Sequence, residues 1–131
     1  MVDKDDGRTR EQHSQELRRG TVVLAALLVL RTPGYGYALL EQLGEVGVDV
    51  EGNTLYPLLR RLEGQGLLTS EWNTDEPRPR KFYRTSPAGE ELARQMLAEW
   101  RELTDALTRL DDNAPQRTDL RDGKKTEKAD D

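Results

Sequence analysis

Two short stretches of this chain bring together side chains that could bind a polyanion. Asn53, Thr54, Tyr56, Arg60 and Arg61 lie in and just before TLYPLLRRLEGQGLL, residues Thr54–Leu68, and Arg80 and Lys81 lie in PRKFYR, Pro79–Arg84. Guanidinium and ammonium groups neutralise phosphate oxygens, while amide and hydroxyl groups pair with base edges or with the nucleic-acid backbone. Side chains for bond-breaking chemistry are scarce. His13 is the sole histidine, cysteine is absent, and no phosphate-cradling glycine loop or metal-ligand spacing occurs. The adjacent carboxylates Glu90 and Glu91 suit the positive end of a helix dipole. The residues therefore predict neither an enzyme, nor a metal site, nor a cofactor.

A formal net charge of −5 at first opposes a polyanionic partner. Distribution matters more than the sum, because screening confines exposed charge to about 8–10 Å at physiological salt. Between Gly52 and Arg84 the bases Arg60, Arg61, Arg78, Arg80, Lys81 and Arg84 outnumber the acids Glu63, Glu71, Asp75 and Glu76. Charged and hydrophobic residues each make up 34% of the 131 residues, which fits one domain with a modest core and polar ends. The longest apolar run, Thr21–Leu30, is half the length of a membrane span, and RTPGYG follows it in place of a signal-peptidase site. With no cysteine to oxidise, a cytoplasmic protein with no membrane partner is expected.

Periodicity and punctuation give the elements that must position these residues. Residues 1–10 read as a disordered polar arm. Glu11–Arg31 has a helical pattern, with Leu17, Leu24, Leu27 and Leu28 on one side, and Thr32-Pro33-Gly34 ends it. Tyr35–Leu43 reads as a second helix. Asn53 or Thr54 is expected to cap the third, with Pro57 in its first turn, Leu55, Leu58, Leu59 and Leu62 inward, and Gly64 and Gly66 as the stop. Leu67–Asn73 and Arg80–Thr85 read as a hairpin, with Leu68 and Trp72 on one face and Asp75 and Glu76 in the turn. Ser86-Pro87 opens a last helix running to Leu110. Along it Leu92, Met96, Trp100, Leu103, Leu107 and Leu110 form a coiled-coil-like seam. Residues 111–131 read as a disordered, charged tail.

The order of elements predicts a mainly α fold with a small two-stranded β-wing. It is a winged helix-turn-helix over residues 11–86, followed by a long dimerisation helix over 87–110. In such a fold the second helix braces the third, whose polar face enters the major groove of DNA. Here that face carries Asn53, Thr54, Tyr56, Arg60 and Arg61. The rival reading is a winged-helix protein-interaction module without DNA binding, which the acidic total and the acidic wing tip would suit.

From Gly20 to Leu92 the chain resembles the PadR family of transcriptional regulators. The resemblance rests on Gly36-Tyr37, TLYPLLRRLEGQGLL, Trp72, and PRKFYR followed by Gly89. It implies a homodimeric repressor on a pseudo-palindromic operator of double-stranded DNA, with the third helix in the major groove and the wing along the backbone. Tyr37, Arg80 and Lys81 are the implied backbone contacts. The terminal helices are implied to form the dimer interface, here through Leu17, Leu24, Leu92, Met96, Trp100, Leu103 and Leu107. Two alternatives stay open: Tyr37 contacts phosphate or packs on the third helix, and Tyr56 faces DNA or sits under the wing. Some PadR-like regulators hold flat aromatic ligands between paired tryptophans at the dimer centre. Trp100 is thus a candidate for binding a planar aromatic effector that relieves repression, or else it packs on its symmetry mate. The chain departs from the family pattern at Ala38, where many members have an acid, and at Asn53, where glycine is common and where an operator-specific contact is expected. The single C-terminal helix suggests the short subgroup.

Overall fold

Leucines at helical spacing turn their stripes toward one another and build the body of the protein. In the computed structural model, which describes residues 2–113 and side chains from residue 7 onward, α1 spans Val2–Val29, α2 Gly36–Glu45, α3 Gly52–Gly64 and α4 Pro87–Asp112. Strands β1 (Gly34–Tyr35), β2 (Leu68–Asn73) and β3 (Arg80–Thr85) form an antiparallel sheet in the order β1-β3-β2. This is the expected mainly α winged helix with a third strand added. Strand β1 pairs Gly34 with Tyr83 and Tyr35 with Phe82, and two residues are too few to display an alternating pattern in sequence.

Two boundaries also differ from expectation. Helix α1 begins at Val2 rather than near Glu11. The polarity of residues 2–10 argues against burial, not against helix, and no proline stands there to stop one. Helix α4 continues through Asp112, while residues 114–131 of the expected tail lie outside the described residues. No helix among the described residues is long and apolar enough to cross a membrane.

The described residues divide into two compact units, one ending at Leu97 and the other beginning at Ala98. The first holds the core. Leu27 and Leu30 at the end of α1, Leu39 and Leu43 of α2, Leu55, Leu59 and Leu62 of α3, and Leu68 of β2 are fully buried. Each contributes about 1.5–3 kcal/mol by leaving water. Leu24 belongs to the same core, and Leu92 and Met96 pack against it. Of these three, expected at the dimer interface, Leu24 is buried in the core of its own chain, and Leu92 and Met96 are partly buried against it. Trp72 diverges from Leu68 despite sharing its strand face. Leu68 lies at the core, and Trp72 lies near the hairpin tip and is 62% exposed.

Hydrogen bonds lock the base of the hairpin to the helices. Thr85 donates its hydroxyl to the Leu27 carbonyl at 2.7 Å and its N–H to the Leu30 carbonyl at 2.9 Å. Ser86 caps α4 as expected, its Oγ accepting the Gly89 N–H at 3.0 Å. Gly89 packs so closely that a Cβ there would collide with the Leu67 carbonyl oxygen. In the second unit, Trp100, Leu103, Leu107 and Leu110 are exposed along α4.

Candidate nucleic-acid interface

Helix α3 sorts its side chains cleanly. Leu55, Leu58, Leu59 and Leu62 are buried, leaving Asn53, Thr54, Pro57, Arg60 and Arg61 on one continuous exposed strip. The helix starts earlier than expected. Its N-cap is Glu51, whose backbone carbonyl accepts the N–H groups of Thr54 at 3.0 Å and Leu55 at 2.9 Å, with no side-chain cap. Asn53 and Thr54, expected as caps, are the second and third helical residues instead. Pro57 therefore lies inside the helix rather than in its first turn, and its missing N–H leaves the Asn53 carbonyl without a helical partner. Among the described residues, neither Arg60 nor Arg61 has an acidic partner within ion-pair distance. The strip thus presents short polar groups at its N-terminal end and two uncompensated guanidinium groups further along.

Tyr56 lies on the same helix but is used differently. Its ring fills the space beside Gly36 of α2 and Gly52 of α3; a Cβ at Gly36 would come within 2.5 Å of the ring. The ring spaces the first turns of α2 and α3, and neither of its two expected positions describes it fully, since it remains 37% exposed. Tyr37, the next residue along α2, follows this close approach at Gly36.

Tyr37 in turn meets the wing. The Arg80 guanidinium donates to the Tyr37 hydroxyl at 2.8 Å and stands over its ring at 5.1 Å. Tyr35 stacks on Tyr37 with centroids 5.6 Å apart and 7° between planes, and Asn73 of β2 donates to the Tyr35 hydroxyl at 2.6 Å. Two residues expected to touch phosphate from separate elements are thereby joined into one group, about half exposed at Tyr37. Arg80 also approaches Glu76 of the wing tip, with Nε 3.5 Å from the carboxylate.

Lys81 faces the other way. Strand alternation places it on the face bearing the buried Tyr83 and Thr85, where its ammonium lies 3.2 Å from Glu63 of α3. Ser70 of β2 donates to the same carboxylate at 2.6 Å. The Ser70 hydroxyl first, and Lys81 after it, hold the Glu63 carboxyl below the usual carboxylate range, against the opposing effect of burial. Lys81, expected to track the nucleic-acid backbone, thus has its charge compensated by Glu63 and ties β3 to the end of α3. Glu63, Ser70, Tyr35 and Glu76 were missed in sequence. Their partners lie at separations with no local period, and only the alternation along β3 hinted that Arg80 and Lys81 part company.

A helical core carrying a hairpin wing, with a polar α3 strip exposed beside it, defines a winged helix-turn-helix, a class of fold that reads duplex DNA through its third helix. Residues 23–95 match the model of the transcriptional regulator PadR-like family, and the chain belongs to that family. It is 45% identical to a PadR family transcriptional regulator from Eggerthella lenta DSM 2243, whose crystal structure superposes with a TM-score of 0.79 over 87% of this chain and 100% of that one. A PadR-like transcription factor from Bacteroides fragilis is 31% identical, with a TM-score of 0.63 over 76% of this chain and 98% of that one. The transcriptional regulator Rv3488 of Mycobacterium tuberculosis (strain ATCC 25618 / H37Rv) is 42% identical over 74 residues, 48% of this chain and 69% of that protein. The chain is accordingly a DNA-binding transcriptional regulator and not an enzyme.

Proposed function

We propose that the protein acts in the cytoplasm as a homodimeric repressor that reads a pseudo-palindromic operator through α3 and is released by a planar aromatic effector. The observation that carries the DNA-reading part is the exposed strip of Asn53, Thr54, Arg60 and Arg61, with its arginines uncompensated among the described residues. Asn53 and Thr54 face base edges. Arg60, Arg61 and the Tyr37–Arg80 pair hold phosphates on either side. Tyr56 acts on the DNA face by spacing α2 from α3.

Support for a second copy comes from α4, where Trp100, Leu103, Leu107 and Leu110 are exposed at spacings of three and four residues. A strip of that kind is stabilised by a partner helix. Leu17, 67% exposed on α1, is a separate candidate contact. Two α3 helices then read half-sites about 10 bp apart, or a multiple of that. Trp100 lines the effector site together with its mate.

A mobility-shift titration of the region upstream of the protein's own gene tests the reading. A specific shift that Arg60→Ala with Arg61→Ala abolishes supports it, and no shift at concentrations where the protein dimerises contradicts it. Sedimentation of Leu103→Glu with Leu107→Glu is expected to give a monomer; an unchanged dimer would remove α4 from the interface. For the effector, fluorescence quenching by planar aromatics is compared with and without Trp100→Leu in a Trp72→Phe background, since Trp72 is itself exposed. Equal quenching in both would exclude Trp100.

A further inference from the structure

Of the basic residues proposed to face DNA, Arg80 alone has an acid on it among the described residues. Its Nε lies 3.5 Å from the Glu76 carboxylate, and both side chains are nearly half exposed. We infer that Glu76 is an affinity-setting residue: an internal stand-in for phosphate that occupies Arg80 in the free protein and is displaced when DNA binds. The inference rests on the proposed placement of Arg80 at the DNA backbone.

The wing tip is built to hold this carboxylate in place. Asn73 accepts the Asp75 N–H on its side-chain oxygen at 3.1 Å, which bends the chain back as it leaves β2. Pro77 and Pro79 follow, each fixing its own φ, so the return to Arg80 has little conformational freedom. Glu76 and Arg80 stand four residues apart in sequence, yet no helix lies between them, and the turn rather than a helical period brings them together. The guanidinium is meanwhile oriented on its other side by the Tyr37 hydroxyl.

The chemistry matches. A carboxylate and a phosphate both offer anionic oxygens to a guanidinium, and phosphate accepts the same fork of donors. The Glu76–Arg80 contact is long and solvated, so it is weak enough for a phosphate to replace it. DNA must nevertheless displace an anion at Arg80 that it does not meet at Arg60 or Arg61. The effect lowers affinity on every sequence alike, since Glu76 acts through Arg80, which is proposed to hold phosphate and not a base.

Asp75 provides the control. It is exposed in the same turn and has no ion-pair partner among the described residues, so Asp75→Asn changes net charge equally without unmasking Arg80. The experiment is a double-mutant cycle on a labelled duplex selected from random sequence by the wild-type protein, at one fixed salt concentration. Glu76→Gln is expected to tighten binding about threefold to fivefold, and Asp75→Asn by less than about twofold. In an Arg80→Ala background, Glu76→Gln should fall to the Asp75→Asn level. Equal effects of Glu76→Gln and Asp75→Asn, or a gain that survives Arg80→Ala, would overturn this inference while leaving the proposed function intact. Binding unchanged by Arg80→Ala itself would take Arg80 off the DNA face and overturn both this inference and the proposed placement of Arg80, while the α3 reading keeps its own test.

Discussion

Helix α3 and the wing each carry an adjacent pair of basic residues, Arg60-Arg61 and Arg80-Lys81, yet the two pairs stand in different electrostatic surroundings. On α3 both side chains are exposed and neither has an acid at hand among the described residues. On the wing, strand alternation sends the two residues to opposite faces, where Glu76 meets one and Glu63 the other. Neighbours on a helix surface share one solvent-facing arc, whereas neighbours on a strand never share a face. The lesson is that the same dipeptide chemistry is left uncompensated on one element and is shared out between two acids on the other, which on the proposed reading separates recognition from bracing.

The largest effect expected from this contrast is at α3. Arg60→Ala with Arg61→Ala should cut operator affinity on the order of 100-fold, read by fluorescence anisotropy, with an unchanged melting temperature because both positions are exposed. A smaller effect is expected where the helices meet. Gly36→Ala drives a methyl group into the Tyr56 ring and should destabilise the fold by roughly 1–3 kcal/mol in thermal or urea unfolding. If it melts as wild type, the ring is not the spacer between α2 and α3. Next comes Tyr37→Phe, which removes only the hydroxyl that holds Arg80. It should weaken DNA binding about threefold with stability preserved, and a null effect would mean that Arg80 needs no orientation.

Lys81 should give the smallest effect on binding. Lys81→Ala is expected to change affinity by less than about twofold and to lower stability by no more than about 1 kcal/mol. Its partner supplies a pH test. The folded-state pKa of Glu63 is depressed, so its stabilising contribution is present above the unfolded carboxylate's value, near pH 4, and is lost as pH falls through the lower folded value. Wild type should therefore be more stable than Glu63→Gln at pH 7, with the gap closing in acid. A constant gap would mean that the Ser70–Glu63–Lys81 brace contributes nothing through charge.

Much of the fold was legible because it depends on local periods. The leucines of α3 declared their buried side without error, and Ser86 announced the cap of α4 through its position before Pro87. What escaped was non-local. Strand β1 exists because Gly34 and Tyr35 find Tyr83 and Phe82 of β3 far along the chain, not because of their own pattern. The seam from Leu92 to Leu110 is continuous in sequence, but Leu92 and Met96 pack on the core while Trp100 onward is exposed. Period alone does not say which partner covers a stripe. The candidate site divided in the same manner. The exposed strip of α3 followed from its complement, the leucines, whereas the fate of Lys81 depended on Glu63 and Ser70, which no spacing rule connects to it.

Salt dependence of operator binding tests the difference between the two basic pairs most directly, because each phosphate contact adds about 0.9 to the slope of log affinity against log salt. Arg60→Ala with Arg61→Ala should flatten that slope by roughly two contacts, while Lys81→Ala leaves it unchanged. A slope flattened by Lys81→Ala but unmoved by the arginine pair would contradict the account at its centre.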